Sequence, residues 1–335
     1  MTLWRTAAVT LAVVAGLAAG PAPAQEVETS FSLPATTFSF LPVYVADDLG
    51  LWSKRGLKVK TSVIVGIGSM NAVLSKSVDF TLSSTPTIIR ANIRGQKVLA
   101  IASASDQASV EIVLRKDVAD AAGITGTSPL EKRARALKGK KIGLQGLNAI
   151  PHGFLRYFAK KGGIDPEKDI QLAVMQPEAE LAALKSKQID GMAEVLPYST
   201  IAAHGGAAIV IGSAPRGDFP ELNPYANNAI AALPGTCEQR PKLCTDIVAG
   251  FAEAVAFIHD RPKEAADILR KRIPNMDEGA FDEAFAMTRK GIPRSLAIGD
   301  AGLKNAQELM VIGGMIKDEE RLASFKDIYT NKFMK

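Results

Sequence analysis

The residues of this chain that could do chemistry are mostly neutral hydrogen-bond donors placed directly after predicted strands. The densest groups are Ser83, Ser84 and Thr85, and Gly68 with Ser69. Free N–H groups collect where a helix begins, so these positions suit an oxygen of a sulfonate, a carboxylate or nitrate. The same residues could instead be plain helix starts, with Ser69 or Thr85 as the N-cap. Both interpretations stay open from the sequence.

Polar side chains in the second half of the chain add a possible charge. Asn148 and His152 begin a predicted helix. Glu194 lies at the end of a strand predicted over residues 191–195, and Tyr198 follows that strand. If Glu194 faces a binding cleft, it would pair with an amine or amidine group. If it faces solvent, a simple anion becomes the easier ligand. The sequence does not fix its direction.

Aromatic side chains are scarce, and Phe38 and Phe40 lie in the first loop, where they either cover a ligand or join the core. No catalytic or cofactor motif accompanies them. Gly66-x-Gly68 lacks the third glycine of a dinucleotide fingerprint, and no G-x-S-x-G occurs. The three histidines lie far apart, without metal-ligand spacing. We therefore expect no enzyme activity, no cofactor and no metal.

The elements that position these residues are indicated by a passage that occurs twice. Residues 75–79 are S-K-S-V-D and residues 186–190 are S-K-Q-I-D, each after an apolar helical stretch. Strands and helices alternate around both copies, which predicts two α/β lobes with a cleft between them. The chain after Thr245 is helical, and we expect it to return to the first lobe. The chain would then cross near residues 111–116 and 225–233, forming a two-crossing hinge.

The N-terminus and the bulk composition favour an exported protein. Residues 1–24 have a short charged start, an apolar core and an A-x-A site, which predicts a signal peptide cleaved after Ala24. In an oxidising compartment the only two cysteines, Cys237 and Cys244, are expected to form a local disulfide. Lysine and arginine total 40 against 35 acidic residues, without aromatic platforms beside the basic runs. That pattern argues against nucleic-acid binding.

Three stretches together resemble one family of proteins. Residues 41–57, L-P-V-Y-V-A-D-D-L-G-L-W-S-K-R-G-L, resemble the opening of the nitrate, sulfonate, taurine and thiamine-precursor solute-binding proteins of ABC importers. Residues 137–143, L-K-G-K-K-I-G, are similar to that family's entry to its second lobe. The repeated passages resemble its helix ends, although Lys76 and Lys187 stand where the family usually has glycine.

The resemblance implies an α/β type II periplasmic binding fold, in which two lobes joined by a two-crossing hinge hold a small-molecule ligand. It implies delivery to an ABC permease with a cytoplasmic ATPase, and no catalysis. We expect a periplasmic monomer with lobe 1 formed by residues 25–112 and 228–335 and lobe 2 by residues 113–227. A sulfonate or a taurine-like solute is the expected ligand. Alternatives are an aminopyrimidine thiamine precursor or an exported sensory binding protein.

Overall fold

The computed structural model describes residues 26–147 and 149–334. The predicted signal peptide and its cleavage site after Ala24 lie outside these residues. The described strands are β1 (Val27–Leu33), β2 (Leu57–Val63), β3 (Phe80–Ser84), β4 (Leu99–Ser105), β5 (Val110–Arg115), β6 (Lys140–Leu144), β7 (Ile170–Val174), β8 (Gly191–Val195), β9 (Ala208–Ser213) and β10 (Asn228–Ala232).

The helices cover both sheets. They are α1 (Leu41–Asp48), α2 (Gly68–Leu74), α3 (Thr85–Ile93), α4 (Lys116–Ala121), α5 (Leu130–Arg135), α6 (Ile150–Lys161), α7 (Pro177–Lys185), α8 (Tyr198–His204), α9 (Pro234–Gln239), α10 (Pro241–Asp260), α11 (Pro262–Arg272), α12 (Glu278–Lys290) and α13 (Asp300–Ile312).

The strands form two five-stranded sheets with the same topology. Their orders are β2-β1-β3-β10-β4 and β7-β6-β8-β5-β9. In each sheet one strand that arrives from the other lobe, β10 or β5, runs antiparallel between two neighbours. β10 is buried along its whole length and is mostly alanine, as suits a central strand covered on both faces.

The chain crosses between the sheets twice, between residues 105 and 110 and between residues 213 and 228. The first crossing therefore lies before the predicted residues 111–116, because those residues already pair within the second sheet as β5 and its end. The second begins well before residue 225, since the loop after β9 is long. The predicted lobe boundaries at residues 112 and 227 stay a proposal.

The repeated passage is the same structural unit in both lobes. Lys76 and Lys187 lie 111 positions apart and have positive φ angles of 62° and 61°. Each follows a helix whose last carbonyls accept bonds from the turn, as in a Schellman motif. Asp79 and Asp190 then accept a backbone N–H from the neighbouring strand, from Ser30 at 3.2 Å and from Lys141 at 2.9 Å. The aspartate thus ties the turn to the sheet.

Three of the long helices after β10 pack on the first lobe. Helices α10, α11 and α12 share a core with β1 and α1, where Phe251, Leu269 and Phe281 join Phe31 and Trp52. Helix α13 differs, because it packs against both α3 of the first lobe and α6 of the second. It therefore bridges the lobes behind the hinge.

The predicted disulfide between Cys237 and Cys244 is confirmed. The bond joins α9 to the start of α10, with the two Cα atoms 5.6 Å apart. It closes a short loop, so it fixes the local path between two helices rather than linking the lobes.

Candidate functional site at the base of the cleft

A cavity lies where the two crossings pass between the lobes, and we call it the hinge cavity. Its enclosed space is about 20 Å³, close to the room that one water molecule needs. Residues of both lobes and both crossings line it: Ser39, Ser105, Gln107, Ala108, Ser109, Leu196, Pro215, Asn227, Met287, Thr288, Gly291 and Ile292. A solute could therefore bind here only if the lobes move apart to admit it.

Two hydroxyls at this cavity lack a partner within the described residues. Ser105 at the end of β4 is 7% exposed, and Thr288 in the last turn of α12 is 9% exposed. Neither Ser105 Oγ nor Thr288 Oγ1 has a hydrogen-bond partner there. A buried hydroxyl without a partner is costly, so both are positioned to bind a polar group of a ligand.

Hydrogen bonds between the crossings hold the cavity wall in place. Gln107 Nε2 donates to the carbonyls of Ala214 and Pro215, at 3.2 and 3.4 Å. The Asn227 N–H donates to the Ser105 carbonyl at 3.0 Å, and the Tyr225 N–H donates to the Asp106 backbone carbonyl at 2.8 Å. The crossings therefore run side by side, and a rotation of one lobe must move both.

An ionic contact joins the lobes beside the cavity, and we call it the Arg216 clasp. Arg216 Nε contacts the buried carboxylate of Glu111 in β5 at 2.9 Å. Its Nη2 contacts Glu283 of α12 in the first lobe at 2.7 Å. His204 of α8 lies 3.3 Å from Asp277 and 3.7 Å from Glu283. Charged groups of α8 and of the loop after β9 thus meet α12 across the cleft.

The site residues predicted in the first lobe do not line the hinge cavity. Phe38 packs edge-on against Phe281 and Phe40 is buried, so both belong to the core. Gly68 begins α2. Ser69 is not the N-cap, a position held by Ile67, and its hydroxyl contacts Ser32 and Thr81 in a buried hydroxyl chain.

The serines after β3 are similarly occupied. Ser84, rather than Thr85, holds the N-cap position of α3, and its hydroxyl contacts Thr87 at 2.9 Å. Thr85 donates to the Ala226 carbonyl and fastens α3 to the second crossing. Ser83 lies within β3, paired with Ala229. A ligand role for these residues stays a prediction.

In the second lobe Glu194 neither lines the cavity nor reaches solvent. It is 0% exposed and accepts hydrogen bonds from the N–H groups of Gln145 and Val195, at 2.9 and 3.1 Å. Burial raises its pKa against the lowering effect of those N–H groups. Burial also raises the pKa of Glu180, an adjacent carboxyl of α7, and the Glu194 charge raises it further.

The other predicted residues of this lobe have local roles or lie outside the description. Tyr198 donates to Glu178 at 2.7 Å, and burial raises its pKa. His152 is buried in the first turn of α6, where burial lowers its pKa. Asn148 lies outside the described residues.

Sequence reasoning found three of the loops that reach the cavity but not the side chains that face it. Ser39, Ser105 and Leu196 lie within loops predicted from strand ends, next to residues that point elsewhere. Met287, Thr288 and Ile292 were missed. They come from α12 and the turn after it, almost 90 positions beyond the nearest predicted site residue, and no local pattern marks them.

Across residues 26–147 and 149–334, no group of three or more His, Cys, Asp and Glu side chains is placed to hold a metal ion. Within those same limits, no helix has both the length and the apolar character that a membrane span requires.

Comparison with known proteins identifies related sequences. A family model described as the NMT1-like family matches residues 34–273. The chain is 26% identical over 187 residues to the nitrate import ATP-binding protein NrtC of Synechococcus elongatus, covering 51% of this chain and 27% of that protein. It is 28% identical over 240 residues to a putative binding protein of Brucella abortus, covering 68% and 66%. Less than two thirds of each relative is matched.

Solved structures share the whole fold at low identity. The periplasmic aliphatic sulphonate binding protein SsuA of Escherichia coli aligns with a TM-score of 0.68 and 17% identity, over 90% of each chain. The periplasmic nitrate-binding protein NrtA of Synechocystis PCC 6803 gives 0.64 and 15%, over 93% of this chain and 88% of that one. The desulfurization enzyme DSZB gives 0.66 and 14%, over 92% and 97%. The predicted type II periplasmic binding fold is thereby confirmed.

Proposed function

The chain belongs to the NMT1-like family, and from this membership we propose that it is the solute-binding component of an ABC importer. It would capture a small organic solute between its lobes and deliver it to a permease with a cytoplasmic ATPase. We further propose that it acts as a periplasmic monomer, exported through the signal peptide predicted over residues 1–24.

The observation that carries the proposal is the hinge cavity. It lies between two lobes, against both crossings, and two buried hydroxyls at its wall lack partners among the described residues. Ligands of open α/β sheets bind at such crevices. A site shared by two lobes also lets ligand binding favour the closed arrangement, because only that arrangement completes the contacts.

A binding role is favoured over catalysis. A related fold occurs in a desulfurization enzyme, so the fold alone does not decide between the two. Both cysteines of this chain are joined in a disulfide, which removes the strongest nucleophile available to it. The hinge cavity is lined by neutral side chains, with no nucleophile beside a base.

The first candidate ligand is a sulfonate or a taurine-like solute, because SsuA is named as an aliphatic sulphonate binding protein. The second candidate is an aminopyrimidine, and the neutral lining of the hinge cavity favours it over an anion. We keep Phe38, Phe40, Gly68, Ser69, Ser83, Ser84, Thr85, Asn148, His152, Glu194 and Tyr198 as proposed contacts of a more open form, outside the hinge cavity.

A ligand screen with two readouts tests the proposal. Purified protein is mixed with sulfonates, taurine, nitrate, bicarbonate, aromatic carboxylates and aminopyrimidines. We expect one class to raise the melting temperature, because a ligand that binds the native state stabilises it. Small-angle X-ray scattering with that compound should show a smaller radius of gyration, as the lobes close.

Two variants separate the site from the rest of the surface. Ser105→Ala should reduce the rise in melting temperature that the ligand causes. Ser324 has an exposed hydroxyl far along the chain, so Ser324→Ala should leave that rise unchanged. A melting shift without compaction would contradict capture between lobes. Cell fractionation of the expressed chain tests export separately, and retention in the cytoplasm would contradict that part of the proposal.

A further inference from the structure

The substrate class can be narrowed from the chemistry of the hinge cavity, and this inference rests on the proposed function. We propose that the cavity binds an uncharged molecule that has an apolar body and one or two neutral hydrogen-bonding groups. Nitrate, sulfonates and other simple anions would then be poor ligands, although related folds are named for them.

The wall of the hinge cavity is uncharged. Four of its residues contribute large apolar or ring surfaces, and the polar ones are hydroxyls or amides. The apolar members are Leu196, Pro215, Met287 and Ile292. An anion enclosed here would lose its water without gaining a counter-ion, which is strongly unfavourable. An uncharged solute loses far less on entry and gains apolar contact.

The hydrogen-bonding groups at the wall are neutral hydroxyls and an amide oxygen. Ser105 and Thr288 are buried without partners in the described residues, and each hydroxyl can donate or accept. Gln107 donates from its Nε2 to the carbonyls of Ala214 and Pro215 in the second crossing. Its amide oxygen, which is a hydrogen-bond acceptor, therefore lies on the side of Gly291 at the wall. An acceptor at the wall suits an N–H or O–H of the ligand and repels an anion.

Arg216, which follows the lining residue Pro215, is a cation beside the wall, and it is already bound to Glu111 and Glu283. An anionic ligand would have to compete with these two carboxylates for it.

Two helix ends of opposite polarity lie at the cavity. The last turn of α12 presents Thr288 and the C-cap Gly291 to the cavity, and this end of a helix carries partial negative charge. Ser39 lies just before the start of α1, whose N-terminus has the opposite sign. The end of α12 therefore acts against any attraction of an anion by the start of α1.

Isosteric probes of different charge test the inference directly. Benzamide, benzoate and benzamidine have nearly the same shape and are neutral, anionic and cationic at pH 7, and methanesulfonamide with methanesulfonate gives a smaller pair. Calorimetric titration with the full chain should show the neutral member binding about tenfold or more tightly than the anion in at least one series. Ser105→Ala and Thr288→Val should each weaken that binding about fivefold, and Ser324→Ala should not.

The outcomes distinguish this inference from the proposed function. If an anion or the cation binds more tightly than its neutral isostere and compacts the protein, the inference is wrong and the proposed function stands. If neutral binding is insensitive to both Ser105→Ala and Thr288→Val, the hinge cavity is not the site and the inference fails. If no neutral probe binds while screened solutes still compact the protein, it also fails. If no compound of any charge compacts the protein, both proposals fail.

Discussion

Lys76 and Lys187 hold a backbone conformation that glycine adopts at less cost. Both have positive φ in the turn that ends a helix, where a Cβ is strained. The Lys187 side chain gains an ion pair with Asp117 at 3.0 Å, whereas the exposed Lys76 side chain has no hydrogen bond or ion pair among the described residues. Lysine at this position therefore lowers the stability of each lobe slightly.

We expect Lys76→Gly to raise the free energy of unfolding by about 0.5–1 kcal/mol, because the strain is removed and no contact is lost. Chemical denaturation measures it. Lys304→Gly is the matched control, since Lys304 is exposed within α13, and it should lower stability by about 1 kcal/mol. Equal effects of both substitutions would contradict the interpretation.

The buried pair Glu180 and Glu194 makes stability depend on pH. Both are 0% exposed, and neither oxygen of Glu180 has a donor within the described residues. Gly143 leaves room for the pair, since a Cβ there would lie 3.2 Å from Glu180 Oε2. Burial and the neighbouring charge raise the pKa of Glu180 above the ordinary 4.5. The folded protein therefore holds a proton that the unfolded chain releases.

A carboxyl group with a raised pKa in the folded state contributes stability that is fully present at a pH below its ordinary pKa. That stability is lost as the pH rises through the raised pKa. Glu180→Gln keeps the shape and cannot ionise, so its stability should fall less between about pH 5 and pH 9, by at least about 1 kcal/mol. Urea unfolding at several pH values measures the slope. Glu131→Gln, at an exposed position of α5, should follow the wild type. If the stability of Glu180→Gln depended on pH as steeply as that of the wild type, the conclusion that folded Glu180 holds a proton would be wrong.

At this scale the sequence could predict which loops reach the cleft but not which side chains face it. Phe38 and Ser39 are neighbours, yet Phe38 turns to the core because Phe281 of α12 fills the space beside it. Glu194 turns away from the cleft because the N–H of Gln145, 49 positions earlier in the chain, donates a hydrogen bond to its carboxylate. Both outcomes depend on residues more than ten positions away, which a local pattern does not contain.

At the scale of elements, the contact of α1 and the following turn with α10 depends on one glycine. Trp52 is buried, and its Nε1 donates to the Ile247 carbonyl at 3.0 Å. A Cβ at Gly250 would overlap the indole ring. Glycine within a long helix lowers helix propensity, so close packing of the indole is the reason for it here.

Gly250→Ala should therefore lower the free energy of unfolding by about 1–3 kcal/mol, although alanine is the better helix former. Gly235→Ala provides the control. Gly235 lies in α9 with nothing near its missing Cβ, so alanine should stabilise by about 0.5–1 kcal/mol. Thermal melts of both variants compare their stabilities. If both substitutions raise the melting temperature, the Trp52 side chain can move to make room for the added methyl group.

The alternation of strands and helices was predictable because apolar periodicity is a local property of the sequence. The repeated passage predicted that there are two similar lobes. The bridging position of α13 was not predictable. Its apolar face packs against α3 and α6, which belong to different lobes, and nothing in its own sequence distinguishes that from packing on one lobe. Only the assembled fold creates the partner surface.

For the molecule as a whole, two different connections oppose opening of the lobes. Helix α13 and the shared core behind the hinge are apolar, and we expect them to stay in contact during a rotation about the crossings. The Arg216 clasp lies on the cleft side and must break when the lobes part. The clasp therefore affects the balance between open and closed forms more than it affects the stability of either lobe.

Glu283→Gln tests this, since it removes the charge on α12 and leaves Arg216 paired with Glu111. An ion pair of this exposure contributes about 0.2–1 kcal/mol, so the closed population should fall up to about fivefold relative to the open form. Small-angle scattering of the ligand-free protein should show a larger radius of gyration, and saturating ligand should restore the wild-type value. Glu278→Gln, on the first turn of the same helix, should scatter like the wild type. Because the unfolding transition of Glu283→Gln should stay almost unchanged, a lower melting temperature without expansion would mean that the clasp stabilises a lobe and does not control closure.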